Sequence, residues 1–173
     1  MTELLSLDNV GVIPRRRPSQ QMARDIKQAI DKIPPHYGLI WFLSRESLRE
    51  IVRGKEASIL TIDFHFPEVK HENALELFYE LSGVVDYELP SDYQVVKDRE
   101  TYSFQIIHQD HIVADIRFLT LIGRRKLQYP DKGSWISILP QWCMSLDTDY
   151  WLDVKWPVPN TIGEFIKSIY RQS

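Results

Sequence analysis

Apolar and polar residues alternate along Ser58–Phe66 with the two-residue period of a strand. Ile59, Leu60, Ile62, Phe64 and Phe66 carry the apolar positions, while Thr61, Asp63 and His65 fall together on one face. β-Branched and aromatic residues suit a pleated, half-buried surface, so the pattern predicts a core strand carrying an acid and an imidazole side by side. Desolvating those two groups without partners is costly. A second apolar run, His111–Ile122, predicts a later strand whose Asp115 is the best candidate to face them.

The remaining pattern predicts helices and strands in turn. Ser19 is placed to cap a helix to about Ile33, with Met22, Ile26, Ala29, Ile30 and Ile33 on one stripe and Pro34-Pro35 after it. Gly38–Leu43 reads as a first core strand. Ser44 is placed to cap a short helix, Arg45–Arg53, that Gly54 stops. Beyond Pro67 the spacing predicts a third helix over Glu68–Ser82, closed by Gly83. Segments 93–97, 101–108 and 111–122 form an antiparallel meander, with Gln109-Asp110 as a tight turn. A basic, polar loop spans Arg124–Gly133, followed by strands at 135–139 and 151–156 and a terminal helix capped by Asn160 or Thr161. This order is α+β, with residues 1–18 as an irregular lead-in and 19–173 as one domain.

Composition narrows the setting without choosing a chemistry. A chain of 173 residues with 43% hydrophobic and 26% charged residues builds one core without disulfides. Its net charge of −3 gives no general attraction to nucleic acid or anionic membrane. The single cysteine, Cys143, precludes an internal disulfide and a thiolate zinc site, and points to a cytoplasmic, reducing setting. No apolar run reaches the roughly 18 residues a membrane-spanning helix needs.

Two carboxylates on adjacent strands, Asp63 and Asp115, can share a divalent metal. They can equally pair with arginines, for which Arg53 and Arg117 are the nearest candidates in sequence. Arg15-Arg16-Arg17 reads as a solvated turn, His108 and His111 beside Asp110 as ordinary exposed turn residues, and Asp147-Thr-Asp149 as a solvated turn in a polar loop.

Several pieces resemble the LicD/fukutin-type phosphotransferases, a family of the nucleotidyltransferase fold. Phe42-Leu-Ser-Arg-Glu-Ser-Leu-Arg-Glu-Ile-Val-Arg53 resembles that family's strand, Gly-Thr turn and helix ending in Val-Arg. Thr61-Ile-Asp63 stands where the family has Asp-Ile-Asp. His111-Ile-Val-Ala-Asp-Ile116 resembles its later Val-Asp-Ile strand, and Trp151–Tyr170 its closing Val-Pro and Tyr-Leu helix. Thr61 replaces the first acid of the pair, and Ser44-Arg-Glu-Ser47 lacks the glycine of the phosphate turn.

The resemblance implies a nucleotidyltransferase-like sheet and a phospho-alcohol or nucleotidyl transfer from a nucleotide-activated donor to a sugar or glycan acceptor. It implies Mg²⁺ or Mn²⁺ on Asp63 and Asp115, with His65 as a base. Ser44 and Ser47 would contact phosphate, and Arg53 or Lys55 would neutralise its charge. The missing acid and glycine motivate the alternative, a catalytically inactive module that acts through a protein partner, with Trp142, Tyr150 and Trp151 as candidate contacts.

Overall fold

A computed structural model describes residues 13–65, 73–122, 126–131, 134–138, 146–160 and 162–166. Ser19 accepts a hydrogen bond from the Met22 amide at 3.2 Å and starts helix α1 (Gln20–Asp31), which buries Ala23, Ile26, Ala29 and Ile30. A 3₁₀ turn and Gly38, in left-handed backbone, lead into β1 (Ile40–Leu43). Helix α2 (Arg45–Arg53) follows and ends at Gly54, again left-handed. Next come β2 (Leu60–His65), α3 (Ala74–Glu88), β3 (Tyr93–Asp98), β4 (Ser103–His108) and β5 (His111–Ile122). The chain continues through β6 (Lys126–Asp131), β7 (Ser134–Ile138), β8 (Asp147–Trp151) and β9 (Val154–Val158), and residues 162–166 are helical.

The protein is α+β, built on a mixed sheet of order β1-β2-β5-β4-β3, with β6 paired to β5 and β7 to β6. β1 runs antiparallel to β2, and β2 parallel to β5. β5, β4 and β3 form the expected antiparallel meander. One face of the sheet is apolar: Leu60, Ile62 and Phe64 lie beside Ala114, Ile116 and Phe118, and these beside Phe104 and Ile106. Helix α3 covers it, with Phe78 packed edge-on to Phe118 at 5.2 Å and against Phe104 and Tyr102. Strand alternation turns Thr61, Asp63, His65, Asp115 and Arg117 to the opposite face. None of the described helices is long and apolar enough to cross a membrane.

Four expectations need correction. Helix α3 runs through Gly83 to Glu88, because the stripe of Phe78, Leu81, Val85 and Leu89 continues past the glycine. Part of the anticipated basic loop is strand β6, where Leu127 and Tyr129 alternate with polar residues that Pro130 and Gly133 obscured. The single strand expected at 151–156 is the β8–β9 hairpin, turned by Leu152 and Asp153 in left-handed backbone. Asp147, exposed, and Asp149, half-buried, therefore lie on strand β8 and not in a loop.

The arginine triplet is the fourth. Arg17 is drawn inward, making a forked pair to Glu50 at 2.5 and 2.8 Å, a bond to the Ala57 carbonyl, and a cation–π contact with Trp151. Glu50 also accepts the Ala57 amide at 2.7 Å, so one acid on α2 fixes both the lead-in and the turn into β2. Residues 1–12, the expected helix start at Glu68, Arg124, Arg125, Trp142, Cys143 and the chain beyond 166 lie outside the described residues.

Phe78 is the largest α3 side chain driven fully into the sheet. Phe78→Ala is expected to lower unfolding free energy by about 3–5 kcal/mol, measured by urea denaturation. A loss below about 1 kcal/mol would contradict this packing.

Candidate functional site

The polar positions of β2 and β5 meet on the face of the sheet opposite α3. In the parallel register of β2 and β5, Thr61 lies opposite Asp115 and Asp63 opposite Arg117. Asp63 is fully buried and Asp115 is 6% exposed. The sequence thus placed the two acids correctly on neighbouring strands, and it left open which cation serves them.

That cation is Arg45, the first residue of α2. Its Nη1 donates to Asp115 Oδ2 at 2.6 Å, its Nη2 donates to the carbonyls of Ile62 and Asp115 at 3.1 and 3.2 Å, and its Nε lies 3.5 Å from Asp63 Oδ1. Arg117, opposite Asp63 in the strand register, has its Nε 3.5 Å from Asp115 Oδ2, as expected, and its charge also favours ionised Asp63. Arg53 does not reach the pair. It sits exposed at the other end of α2, roughly 12 Å along the axis from Arg45.

The turn that delivers Arg45 has the backbone of a glycine turn without the glycine. Arg45 has φ +47°, in the left-handed region that disfavours side chains with a Cβ. Such a conformation costs on the order of 1–3 kcal/mol and persists where the surroundings over-determine it. Here the guanidinium's bonds to Asp115 and to two carbonyls hold it in place.

Thr61 is equally committed. Its hydroxyl donates to the Ser44 carbonyl at 2.5 Å and accepts the Ser47 amide at 3.0 Å, while its own amide donates to Ser47 Oγ at 3.0 Å. These bonds lock the start of α2 onto β2. Ser47 further donates to the Ile59 carbonyl at 3.4 Å. Both the amide and the hydroxyl of Ser47 are therefore spent inside the fold, and the residue is buried. Ser44 is also buried and does not cap α2 with its side chain as expected: its hydroxyl is turned toward Asp63, outside hydrogen-bond geometry, with no partner among the described residues. Lys55 is exposed beyond Gly54, alongside Arg53. The four residues expected to form a phosphate site are thus divided between a buried lock and a solvated helix end.

Burial dominates the electrostatics. It pushes the Asp63 carboxyl up, against the opposing pull of Arg45. Neither Asp63 oxygen has a hydrogen-bond partner within the described residues. His65, two residues on and fully buried, lacks a partner on either ring nitrogen there, and desolvation lowers its pKa to about 4. It is a neutral imidazole at pH 7. His108 is buried against Asp92 at 2.8 Å and is not the exposed turn residue expected, whereas His111 bonds the Gln109 carbonyl beside the turn.

A divalent metal between Asp63 and Asp115 does not fit this arrangement, because a guanidinium already spans the pair. Among the described residues no group of three or more His, Cys, Asp or Glu side chains could hold one elsewhere. Sequence reasoning passed over Arg45. The available signal was a long basic residue in place of a turn glycine, directly before a helix and two strands from an unpaired acid.

No protein-family profile matches the chain, and no curated protein sequence matches it. Among solved structures, the lincomycin-bound crystal structure of the lincosamide antibiotic adenylyltransferase LnuA is similar over 87% of this chain and 97% of that chain. Sequence identity is 13% and the TM-score 0.44. The likeness is too loose to carry an argument about the site, which stands on the chain's own geometry.

His65 generates a pH prediction. Its folded pKa lies below the ordinary 6.5, so between pH 6.5 and 4 the unfolded chain binds the proton and the native chain does not. The stability it contributes is complete above pH 6.5 and is lost as pH falls toward 4. Asp63, whose folded pKa is raised, works in the opposite sense. Comparison with His65→Leu isolates the imidazole: the stability of wild type relative to the variant should fall by roughly 3 kcal/mol between pH 7 and pH 4. A difference that does not change with pH would show that His65 is not buried as a neutral base.

Proposed function

We propose that this chain is a nucleotidyltransferase-type module that acts by binding, as a catalytically inactive or regulatory partner, and does not carry out metal-dependent transfer. The observation that carries the reading is the guanidinium of Arg45, 2.6 Å from Asp115 and 3.5 Å from Asp63, in the place where transfer chemistry would need a divalent ion. The resemblance of residues 42–53, 61–63 and 111–116 to the LicD/fukutin-type family supplies the nucleotidyltransferase background. The two departures from that family's pattern, Thr61 and the glycine-free Ser44–Ser47 turn, are spent on one structural network: Thr61 and Ser47 tie α2 to β2, and Arg45 neutralises the acids.

Of the three aromatics named from sequence, Trp142 lies outside the described residues, Trp151 is buried under Arg17, and Tyr150 is 64% exposed on β8 and available to a partner. His65, sealed from solvent, is not placed to exchange protons with a bound substrate.

A thermal-shift panel of CDP-alcohols, CTP, ATP, UTP and nucleotide sugars, each with and without Mg²⁺ or Mn²⁺, tests the reading. A ligand at 100 times its Kd stabilises by about 2.7 kcal/mol, which is several degrees for a domain of this size. No metal-dependent shift is expected. A shift that requires metal and is erased by both Asp63→Ala and Asp115→Ala would restore the transferase assignment.

A further inference from the structure

We propose that the outer face of α3 is a docking surface for a basic amphipathic helix of a partner protein. The proposal rests on the binding-module reading for its need of a partner. It lies on the side of the sheet away from Arg45 and the buried acids.

The spacing of exposed residues defines the surface. α3 turns Phe78, Leu81 and Val85 into the sheet, and its outer side carries Leu75, Tyr79, Gly83 and Tyr87, each four residues from the last. Residues at that spacing form one ridge along a helix. Leu75 is exposed, Tyr79 is 43% exposed and Tyr87 is 85% exposed, so three large side chains of one ridge stand in water. Gly83 makes a notch between the two tyrosines, with no described atom within 4 Å of where a Cβ would stand. A side chain from a facing helix fits such a gap, as a knob fits a hole.

Charge selects the occupant. Glu76, Glu80, Asp86 and Glu88 border the ridge, and α3 contains no Lys, Arg or His. These four carboxylates exceed the net charge of −3 of the whole chain, so negative potential is concentrated here. Glu80 accepts from the Tyr37 hydroxyl, whereas Glu76, Asp86 and Glu88 make no ion pair with a described residue. A cation already uses the ridge: Lys97 lies over the Tyr79 ring, 5.7 Å from its centre.

Two local choices run against helix stability. Asp86 and Glu88 occupy the last turn, at the negative end of the helix dipole, where bases are favoured and acids are not. Gly83 is the poorest helix former after proline, in the helix interior. Neither choice is offset within the described fold, and a cationic helix seated on the ridge offsets both. Its Lys or Arg side chains would meet Asp86 and Glu88 and lie against the Tyr87 ring. A second copy of α3 would set acid against acid, and nucleic acid would set phosphate against the same carboxylates.

The test titrates the full chain with fluorescent helical peptides of the length of α3, read by polarisation. Each carries leucines four residues apart, flanked by Lys and Arg in one peptide and by Glu in its control. The basic peptide should bind with a Kd of about 10–100 μM and weaken as salt is raised, and the acidic control should bind roughly tenfold more weakly or not at all. Gly83→Leu fills the notch with a better helix former, so it should melt no lower than wild type and bind roughly tenfold more weakly. Asp86→Lys/Glu88→Lys should show the same combination. Tyr87→Ala removes a side chain that touches little of the fold; it should also weaken binding roughly tenfold, and it decides the matter should the other variants unfold. No binding of the basic peptide by about 1 mM, equal binding of the acidic control, or undiminished binding by the folded variants would overturn the proposal. A dimer in light scattering that Tyr87→Ala dissolves would overturn it too, by assigning the ridge to a second copy. The two readings fail separately. Absent peptide binding removes this surface alone, whereas a metal-dependent nucleotide shift removes the module reading and leaves the peptide result standing.

Discussion

A single guanidinium settles the electrostatics of this fold. Asp63 lies on a fully buried strand and has no hydrogen bond from any described residue, so its charge has to be met by something that comes to it. Arg45 comes from the start of α2, adopts a backbone that most residues avoid, and reaches across to Asp115 on the neighbouring strand. Breaking a buried pair by removing one partner costs about 3–5 kcal/mol, more than the strain of one left-handed residue. On those magnitudes the ion pair dictates the backbone at this turn.

Everything around that pair serves to hold α2 where it is. At the start of the helix the Thr61 hydroxyl joins the Ser44 carbonyl to the Ser47 amide. Near its end, Glu50 takes Arg17 and the Ala57 amide. On the exposed side, Glu46 accepts from Ser58 and Arg15. Hydrophobic burial on the other face of the sheet, with Phe78 against Phe104 and Phe118, supplies stability without specifying the polar face. The apolar side thus builds the platform, and the hydroxyl and carboxylate contacts of α2 aim Arg45.

Much of the platform was legible in the sequence. Period-two alternation placed Thr61, Asp63 and His65 on one face, and the hairpin at Gln109-Asp110 set β5 so that Asp115 lies on the strand beside β2. Ser19 and Gly54 marked helix ends by chemistry that acts within a few residues. What was not legible depended on contacts distant in sequence. Arg45 and Asp115 are 70 residues apart, and the turn position that sets Arg45 apart from the exposed Arg53 on the same helix does not tell which acid it reaches. Arg17 read as solvated for the same reason, since Glu50 and Trp151 reach it only in the fold. Gly83 misled because a buried stripe outweighs the roughly 1 kcal/mol cost of a glycine inside a helix.

The central claim is that Arg45 and the buried acids form one electrostatic unit, and a double-mutant cycle between Arg45→Met and Asp115→Asn measures it most directly. Methionine keeps the unbranched stem and the left-handed strain while removing the charged head, and asparagine keeps the shape of the acid. Stability of the wild type, both single variants and the double variant, from urea unfolding, should give a coupling energy above about 2 kcal/mol, as a buried, hydrogen-bonded pair requires. Coupling within about 0.5 kcal/mol of zero would mean that the guanidinium does not serve Asp115, and the account of this site as arginine-filled would be wrong.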